Sequence, residues 1–351
     1  MEEDFRRKGL NLFSGSKNSV VPGIGEPATD SAGAPTSGFC ASGASAPALI
    51  APATHLVETG GLGAYVPELG ELVQPVTIAP AAPTFQPPLG KVFHADCIKK
   101  MARLPAESTR LVVADPPYFQ VLRGQAWDCQ WRNQEEYLEW TAQWLDAAMR
   151  LLVPGGLLYC FGQLGKREHV MLHLMSQCAR SCQFHDLIIW DRAVGYNERR
   201  DSFTPCYEMI LVLRKDGPIC FDKNAVREPY DERTRKQYAR DKRYADRAAR
   251  EAHLNSGKYA TNLWRVPSLK GASREKVGHP SQKPEAVIER IIRSSSAPGE
   301  LVIDPFLGSG TTAVVAERLG RRWIGIERLP EYVQLSRKRV RKVRLALREQ
   351  G

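Results

Sequence analysis

No stretch of this chain approaches the roughly 20 uncharged apolar residues that a membrane span requires, and its opening, MEEDFRRKGL, lacks the apolar core of a secretory signal. Both absences point to a cytoplasmic protein with no membrane partner. Cysteine is sparse: eight residues are scattered through 351, and the closest pair, Cys178 and Cys182, has no second pair at zinc-ligand spacing. They read as ordinary thiols, and no metal is expected. Large apolar residues are scarce up to about residue 88, as in EPATDSAGAPTSGFCASGASAPALIAPA, and such a stretch cannot bury enough surface to offset the entropy of ordering. Residues 1–88 are therefore expected to form a mostly disordered leader, within which residues 62–77 could serve as a short docking segment.

Beyond the leader, acidic charge is the scarce sign. The first 90 residues hold four Lys/Arg and eight Asp/Glu, net −4, which leaves +14 on the other 261 out of a total of +10. Such an excess suits a polyanionic partner without requiring one. From Gly90 the pattern alternates. KVFHAD reads as strand, CIKKMARL as helix and LVVAD as strand; EEYLEWTAQWLDAAMRLL is a long amphipathic helix closed by Pro154-Gly155-Gly156. LLYCF, a helix from about Lys166 to Ala179, DLIIW and EMILVLR follow, then EAVIERIIRSS, LVID, GTTAVVAERLG and RWIGIE. Repeated strand–helix units predict an α/β fold, a mostly parallel twisted sheet with helices on both faces.

Sheets of this kind bind ligands beyond the carboxyl ends of their strands, and two strand ends here carry chemistry. In LVIDPFLGSGTTAVVAERLG a strand ends at Asp304, a turn of Phe306, Gly308, Ser309 and Gly310 follows, and a helix opens at Thr311-Thr312. Glycines let backbone approach a ligand closely, and free N–H groups at a helix start favour a carboxylate or phosphate. Alone, the turn equally fits a tight strand-to-helix connection. RRWIGIE then supplies a second strand ending in Glu327, placed to accept hydrogen bonds from ribose hydroxyls. Together the two predict a nucleoside-containing cofactor, while the missing GxGxxG fingerprint argues against a nicotinamide dinucleotide. The other strand end is ADPPYF, residues 114–119, a carboxylate followed by two prolines of fixed φ and an aromatic ring. By itself it would also fit a strand stopped by prolines beside a half-buried tyrosine.

In the order HADC, ADPPY, HPSQKP, DPFLGSGTT and GIE, the chain resembles the β-group DNA amino-methyltransferases over roughly residues 90–340. The catalytic motif precedes the cofactor loop, a circularly permuted order that separates this group from glutamine and ribosomal RNA methyltransferases with an NPPY-like motif. FDKNAVREPYDERTRKQYARDKR and TNLWRVPSLKGASREKVGHPSQKPEAVIER resemble the RsrI-type adenine methyltransferase of restriction–modification systems. The resemblance implies a Rossmann-like, S-adenosylmethionine-dependent methyltransferase domain over residues 89–351. Its implied cofactor residues are Ala95, Asp96, Cys97, Asp115, Lys283, Asp304, Pro305, Phe306, Gly308, Ser309, Gly310, Thr311, Thr312, Glu327 and Arg328. Asp96 would meet the cofactor's adenine, unless it only caps a helix, and Lys283 would lie near the methionine end. His279 carries no assigned chemistry and is expected to be structural.

The resemblance also gives ADPPYF a catalytic reading. Asp115 and the main-chain carbonyl of Pro116 would each accept a hydrogen bond from an exocyclic amino group, aiming its lone pair at the sulfonium methyl. Pro116 and Pro117 would hold that carbonyl in place, and Tyr118 would stack on a base extruded from the duplex. Transfer would be direct and in line, without a covalent enzyme intermediate. Asp rather than Ser at position 115 favours adenine N6 over cytosine N4. Double-stranded DNA is the implied partner, met through an inserted target-recognition region at residues 191–278 that is rich in Arg, Lys and Tyr. Its run from Arg233 to Arg250 also fits a solvated charged helix. A GAATTC-like target, a cognate restriction endonuclease sharing it and a homodimer are further implications. Two rivals come from other classes. A DNA-binding regulator with a silent methyltransferase body is opposed by the intact ADPPY and DPFLGSG, and an RNA or small-molecule N-methyltransferase by the motif order and the basic insert.

Overall fold

The computed structural model describes residues 89–349 apart from 123, 165–168, 182, 196, 197, 199 and 241–245. The expected leader, residues 1–88, and its docking segment lie outside the described residues. Among these residues, the strands β1 (Gly90–His94), β2 (Thr109–Ala114), β3 (Leu152–Gly162), β4 (Phe184–Asp191), β5 (Tyr207–Arg214), β6 (Leu263–Arg265), β7 (Leu301–Asp304) and β8 (Arg322–Glu327) form one sheet. Their spatial order is β1-β8-β7-β2-β3-β5-β4-β6. Neighbours pair in parallel except at β5, which runs antiparallel to β3 and to β4. The helices are α1 (Cys97–Ala102), α2 (Gln134–Leu151), α3 (Val170–Arg180), α4 (Glu232–Ala239), α5 (Arg247–Ser256), α6 (Glu285–Ser295), α7 (Thr311–Arg318) and α8 (Pro330–Glu349). Among the described residues, no helix is long and apolar enough to cross a membrane.

Central strands are unbroken apolar runs, Leu111–Ala114, Leu157–Phe161 and Ile210–Leu213, and all of these residues are buried. Runs of that kind require cover on both faces. Alternation divides them: Leu111, Val113, Leu157 and Tyr159 pack with Val287, Ile288 and Ile291 of α6 and Val314 of α7. Val112, Ala114, Leu158 and Cys160 meet Met101 of α1 and Trp144, Leu145 and Ala148 of α2 on the opposite face. The expected α/β architecture with helices on both faces is the one observed. α2 begins where Asn133 accepts a hydrogen bond from the Glu136 N–H at 2.9 Å, with Glu135 and Glu136 in its first turn.

Chain direction creates the crevice. From β2 the chain passes through α2 to β3 on one side, and from β7 through α7 to β8 on the other, while β2 and β7 are neighbours. Their carboxyl ends therefore border a topological switch point, the place where such sheets bind ligands. Because β4 is antiparallel to β5 and β5 to β3, the connection from β4 to β5 and the start of β5 lie at this same edge. Residues 191–278, read from the sequence as one insert, are threaded into the sheet: β5 and β6 are integral strands within that span. The reason is that EMILVLR is apolar on both faces and is buried only inside the sheet. Outside the strands lie α4 and α5, held together by a ring cluster of Tyr230, Tyr238 and His253 with centroids 5.8–6.1 Å apart. None of the eight residues of α4 is buried, as a charged solvated helix requires. The helix expected from about Lys166 is found at Val170–Arg180, residues 165–168 being outside the described residues.

Candidate active site

At the switch point lies a cleft enclosing about 1140 Å³ of empty space, its part open to solvent included. Every site residue expected from the sequence lines it except Gly310. That glycine instead begins α7 in the left-handed region, φ +83°, and packs on α8, where a Cβ would stand 2.8 Å from Ser336 Cβ. It is required by two independent constraints, conformation and space.

The glycine loop is tied down by carboxylates. Asp304 Oδ1, at the end of β7, accepts from the Phe306 N–H at 2.9 Å. Glu327, at the end of β8, accepts from the N–H groups of Gly308 and Leu329, each at 2.8 Å. Beneath the loop, Arg339 of α8 donates to the Ser309 carbonyl and the Thr311 hydroxyl at 3.0 Å, and to Glu285 at 2.7 Å. Burial pushes the Asp304 carboxyl up to about 7 against hydrogen bonds from Thr312 and Phe306, with the charges of Asp115 and Glu327 adding to the rise. Glu327 is likewise raised by burial, in part offset by its backbone donors. A row of desolvated carboxylates in an otherwise basic domain favours a cationic ligand.

His279 has a structural role in this arrangement. Its ring underlies Gly308, whose added Cβ would be 3.0 Å from Nε2, and stands edge-on to Tyr332 at 4.3 Å. Burial, then the Lys283 charge, lowers it to about 4, so it is neutral at physiological pH. Asp96 does cap a helix: its Oδ1 accepts from the Lys99 N–H at 3.0 Å, opening α1 while the residue faces the cleft. The neighbouring Cys97 thiol is pushed up to about 12 by burial first and is therefore a neutral wall. Arg328 donates to Gln130 at 2.8 Å across the mouth.

β2 delivers Asp115 into a buried charge cluster. Lys283 Nζ lies 2.7 Å from both Asp115 oxygens and 3.4 Å from Glu208 of β5. The Tyr118 hydroxyl donates to Asp115 Oδ1 at 2.7 Å and lies 3.0 Å from Glu208 Oε2. Arg192, just after β4, meets Glu208 at 3.2 Å. Burial alone would lower the Lys283 ammonium, but Asp115 and Glu208 outweigh it and hold it above its ordinary value. Burial, reinforced by the same two carboxylates, holds the Tyr118 phenol well above its ordinary value, so it stays protonated. Tyr118 is thus turned inward by its hydroxyl.

The rest of ADPPYF is shaped by a residue that sequence reasoning missed. Phe119 and Gln120 are consecutive non-glycine residues in the left-handed region, φ 61° and 58°. Such backbone costs about 1–3 kcal/mol per residue and persists only where its surroundings impose it. Buried Asp128 imposes it: its carboxylate accepts the N–H groups of Tyr118 and Leu122 at 2.6 Å each, and its carbonyl accepts that of Gln120 at 2.8 Å. Tyr137 of α2 donates to the Pro117 carbonyl at 2.8 Å. Asp128→Ala leaves two loop N–H groups without a partner and is expected to destabilise the fold by about 2–4 kcal/mol in denaturant unfolding. The only signal in the sequence was an acid between tryptophans, WDCQW, and Glu208 gave an equally slight one, a lone acid heading an apolar strand.

Comparison with known proteins fits this geometry. The DNA methylase family for N6 and N4 enzymes matches residues 109–338. The type II methyltransferase M1.MboII of Moraxella bovis is 32% identical over 250 residues, 70% of this chain and 94% of that protein. The DNA adenine methyltransferase YhdJ of Escherichia coli K12 is 30% identical over 256 residues, 71% of this chain and 82% of that protein. Among solved structures, the cytosine-N4-specific PvuII DNA methyltransferase shares the fold at 20% identity with a TM-score of 0.54, covering 74% of this chain and 91% of its own. With its switch-point cleft and a match spanning well over half of its length, the chain belongs to the N6/N4 DNA methylase family.

Proposed function

We propose that this chain transfers a methyl group from S-adenosylmethionine to adenine N6 in duplex DNA. The observation that carries the reading is the meeting of Asp115 and the Asp304–Thr312 loop in one cleft at the β2/β7 switch point. The cleft suits this cofactor: desolvated Asp304 and Glu327 favour its positive charge, and Gly308 and Gly310 leave room for close backbone approach. Bound here, it would supply an electrophilic methyl carbon on a positively charged sulfur, a group able to leave as a neutral thioether. Asp115 accepts a hydrogen bond from the amino group, orients its lone pair and takes the proton that the nitrogen releases. Hydrogen bonds from Lys283 and Tyr118 fix the Asp115 carboxylate in place, and Asp128 clamps the loop that follows it.

Adenine rather than cytosine is supported by Asp in ADPPY and by the adenine methyltransferase among the relatives. Duplex DNA is supported by the +14 balance after residue 90 and by exposed Arg233, Lys236, Arg240 and Arg247 on and beside α4 and α5. We extend the same reading to residues 191–278, apart from the sheet strands β5 and β6 within them, as the target-recognition region, to a cytoplasmic enzyme, and to a restriction endonuclease sharing its site. A homodimer belongs to that extension, and so does a GAATTC-like target. Incubation with tritium-labelled S-adenosylmethionine and either duplex DNA or single-stranded RNA, followed by nucleoside analysis, is the direct test. Label in N6-methyladenine from duplex DNA is expected; label in RNA alone, or in N4-methylcytosine, contradicts the proposal.

Cofactor affinity carries a pH signature. Asp304 keeps its proton until about pH 7, so pairing its carboxylate with a cation requires release of that proton below this value. Affinity is expected to fall by up to about tenfold per pH unit below 7 and to level off above it. Titration calorimetry between pH 5.5 and 8.5 checks this, and Asp304→Asn should remove the dependence. In the folded protein the raised carboxyl favours the protonated form, so its contribution to stability is present below about pH 4 and lost as pH rises to about 7.

A further inference from the structure

We infer that Glu208 is a positioning residue that takes over the donors of Asp115 when the base's amino group claims that carboxylate. The inference rests on the functional reading above and extends it to a residue outside every motif that carried it. Both donors that occupy Asp115, the Lys283 ammonium at 2.7 Å and the Tyr118 hydroxyl at 2.7 Å, also reach Glu208, at 3.4 and 3.0 Å. The arrangement is a set of two acceptors sharing two donors.

Counting hydrogens shows what the sharing does. A phenol has one proton and cannot donate fully to two carboxylates at once, and Lys283 has three N–H groups, two of them directed at Asp115. An amino group can hydrogen-bond to Asp115 only if some of these donors turn aside. Lys283 is buried, and an ammonium without a partner there is costly. Glu208 removes that cost, because a small rotation moves Lys283 and Tyr118 onto it with their bonds kept. Arg192 at 3.2 Å balances the Glu208 charge, so the pair of carboxylates and the pair of cations form a neutral cluster. The antiparallel β5 is what brings Glu208 to the ligand edge, opposite β2 across β3. In Glu208→Gln the ammonium has one anionic partner left, its pair with Asp115 tightens, and the amino group must compete with it.

The test is single-turnover methyl transfer to duplex DNA by the full chain and by Glu208→Gln, Lys283→Met and the double variant, with cofactor and DNA dissociation constants and unfolding midpoints measured in parallel. Glu208→Gln is expected to slow transfer about 30- to 100-fold while both dissociation constants stay within about threefold. In the double variant the two losses should be far from multiplicative, because without its ammonium Lys283 no longer occupies Asp115. A Glu208→Gln rate within about threefold of wild type overturns the proposal, and so do multiplicative losses. Weakened binding of both ligands in proportion to the rate, with a lowered unfolding midpoint, assigns Glu208 a purely structural part and also overturns it. If the unmodified protein methylates neither adenine nor cytosine in DNA, the functional reading itself fails; normal wild-type transfer with an unaffected Glu208→Gln removes this inference alone.

Discussion

Asp115→Ala is expected to slow single-turnover methyl transfer at least about 10³-fold, in the range that loss of a positioned proton acceptor costs. Asp115 stands where β2 ends, in the cleft shared with the Asp304–Thr312 loop. Glu208 sits one strand beyond β3 and already holds Arg192 at 3.2 Å. The variant should fold, since Lys283 retains Glu208 as an ionic partner at 3.4 Å. Cofactor binding should persist, because the glycine loop is organised by Asp304, Glu327 and Arg339 independently of Asp115. Rapid-quench transfer assays with calorimetric titration of the cofactor separate the two effects. A transfer rate within about tenfold of wild type would remove Asp115 from the chemistry.

The second large effect is at Gly310. Gly310→Val places a branched Cβ at φ +83°, 2.8 Å from Ser336 Cβ and 3.0 Å from Ser336 Cα. Left-handed backbone costs a branched residue about 1–2 kcal/mol and overpacking about 1–3 more. Backbone of α8 does not yield as a flexible side chain would, so α7 must shift, and with it the loop that Gly308 and Glu327 hold at 2.8 Å. Cofactor affinity is expected to drop by more than about tenfold together with a loss of roughly 2–5 kcal/mol in denaturant unfolding. Gly271→Ala is the matched control: it meets nothing within 4 Å and has no positive φ, so both quantities should be unchanged.

Why Asp115 and the Asp304 loop were legible in the sequence, and others were not, follows from where their partners come from. Asp115 and Asp304 end apolar strands and are followed at once by prolines or glycines, a local pattern with few structural uses. The strand–helix alternation likewise depends on nearby residues, and the parallel sheet with two covered faces follows from it. Glu208 and Arg192 carry no such local mark. They matter only because β5 enters the sheet antiparallel between β3 and β4, a pairing that periodicity does not encode. For the same reason residues 191–278 looked like one insert, although Tyr207–Arg214 runs through the sheet interior. Asp128 acts ten residues from Tyr118 by collecting backbone N–H groups, a contact that exists only once the loop has turned. Asp96 was ambiguous between capping and ligand binding, and the structure shows the cap at 3.0 Å on a residue that also lines the cleft.

Sequencing of genomic DNA for modified bases, after expression of this chain and of Asp115→Ala in a methylation-deficient host, tests directly whether Asp115 directs methyl transfer to adenine N6. N6-methyladenine at one recurrent sequence, present with the unmodified chain and absent with the variant, is the predicted result. An unmodified genome, N4-methylcytosine in its place, or a mark that survives the substitution would contradict it.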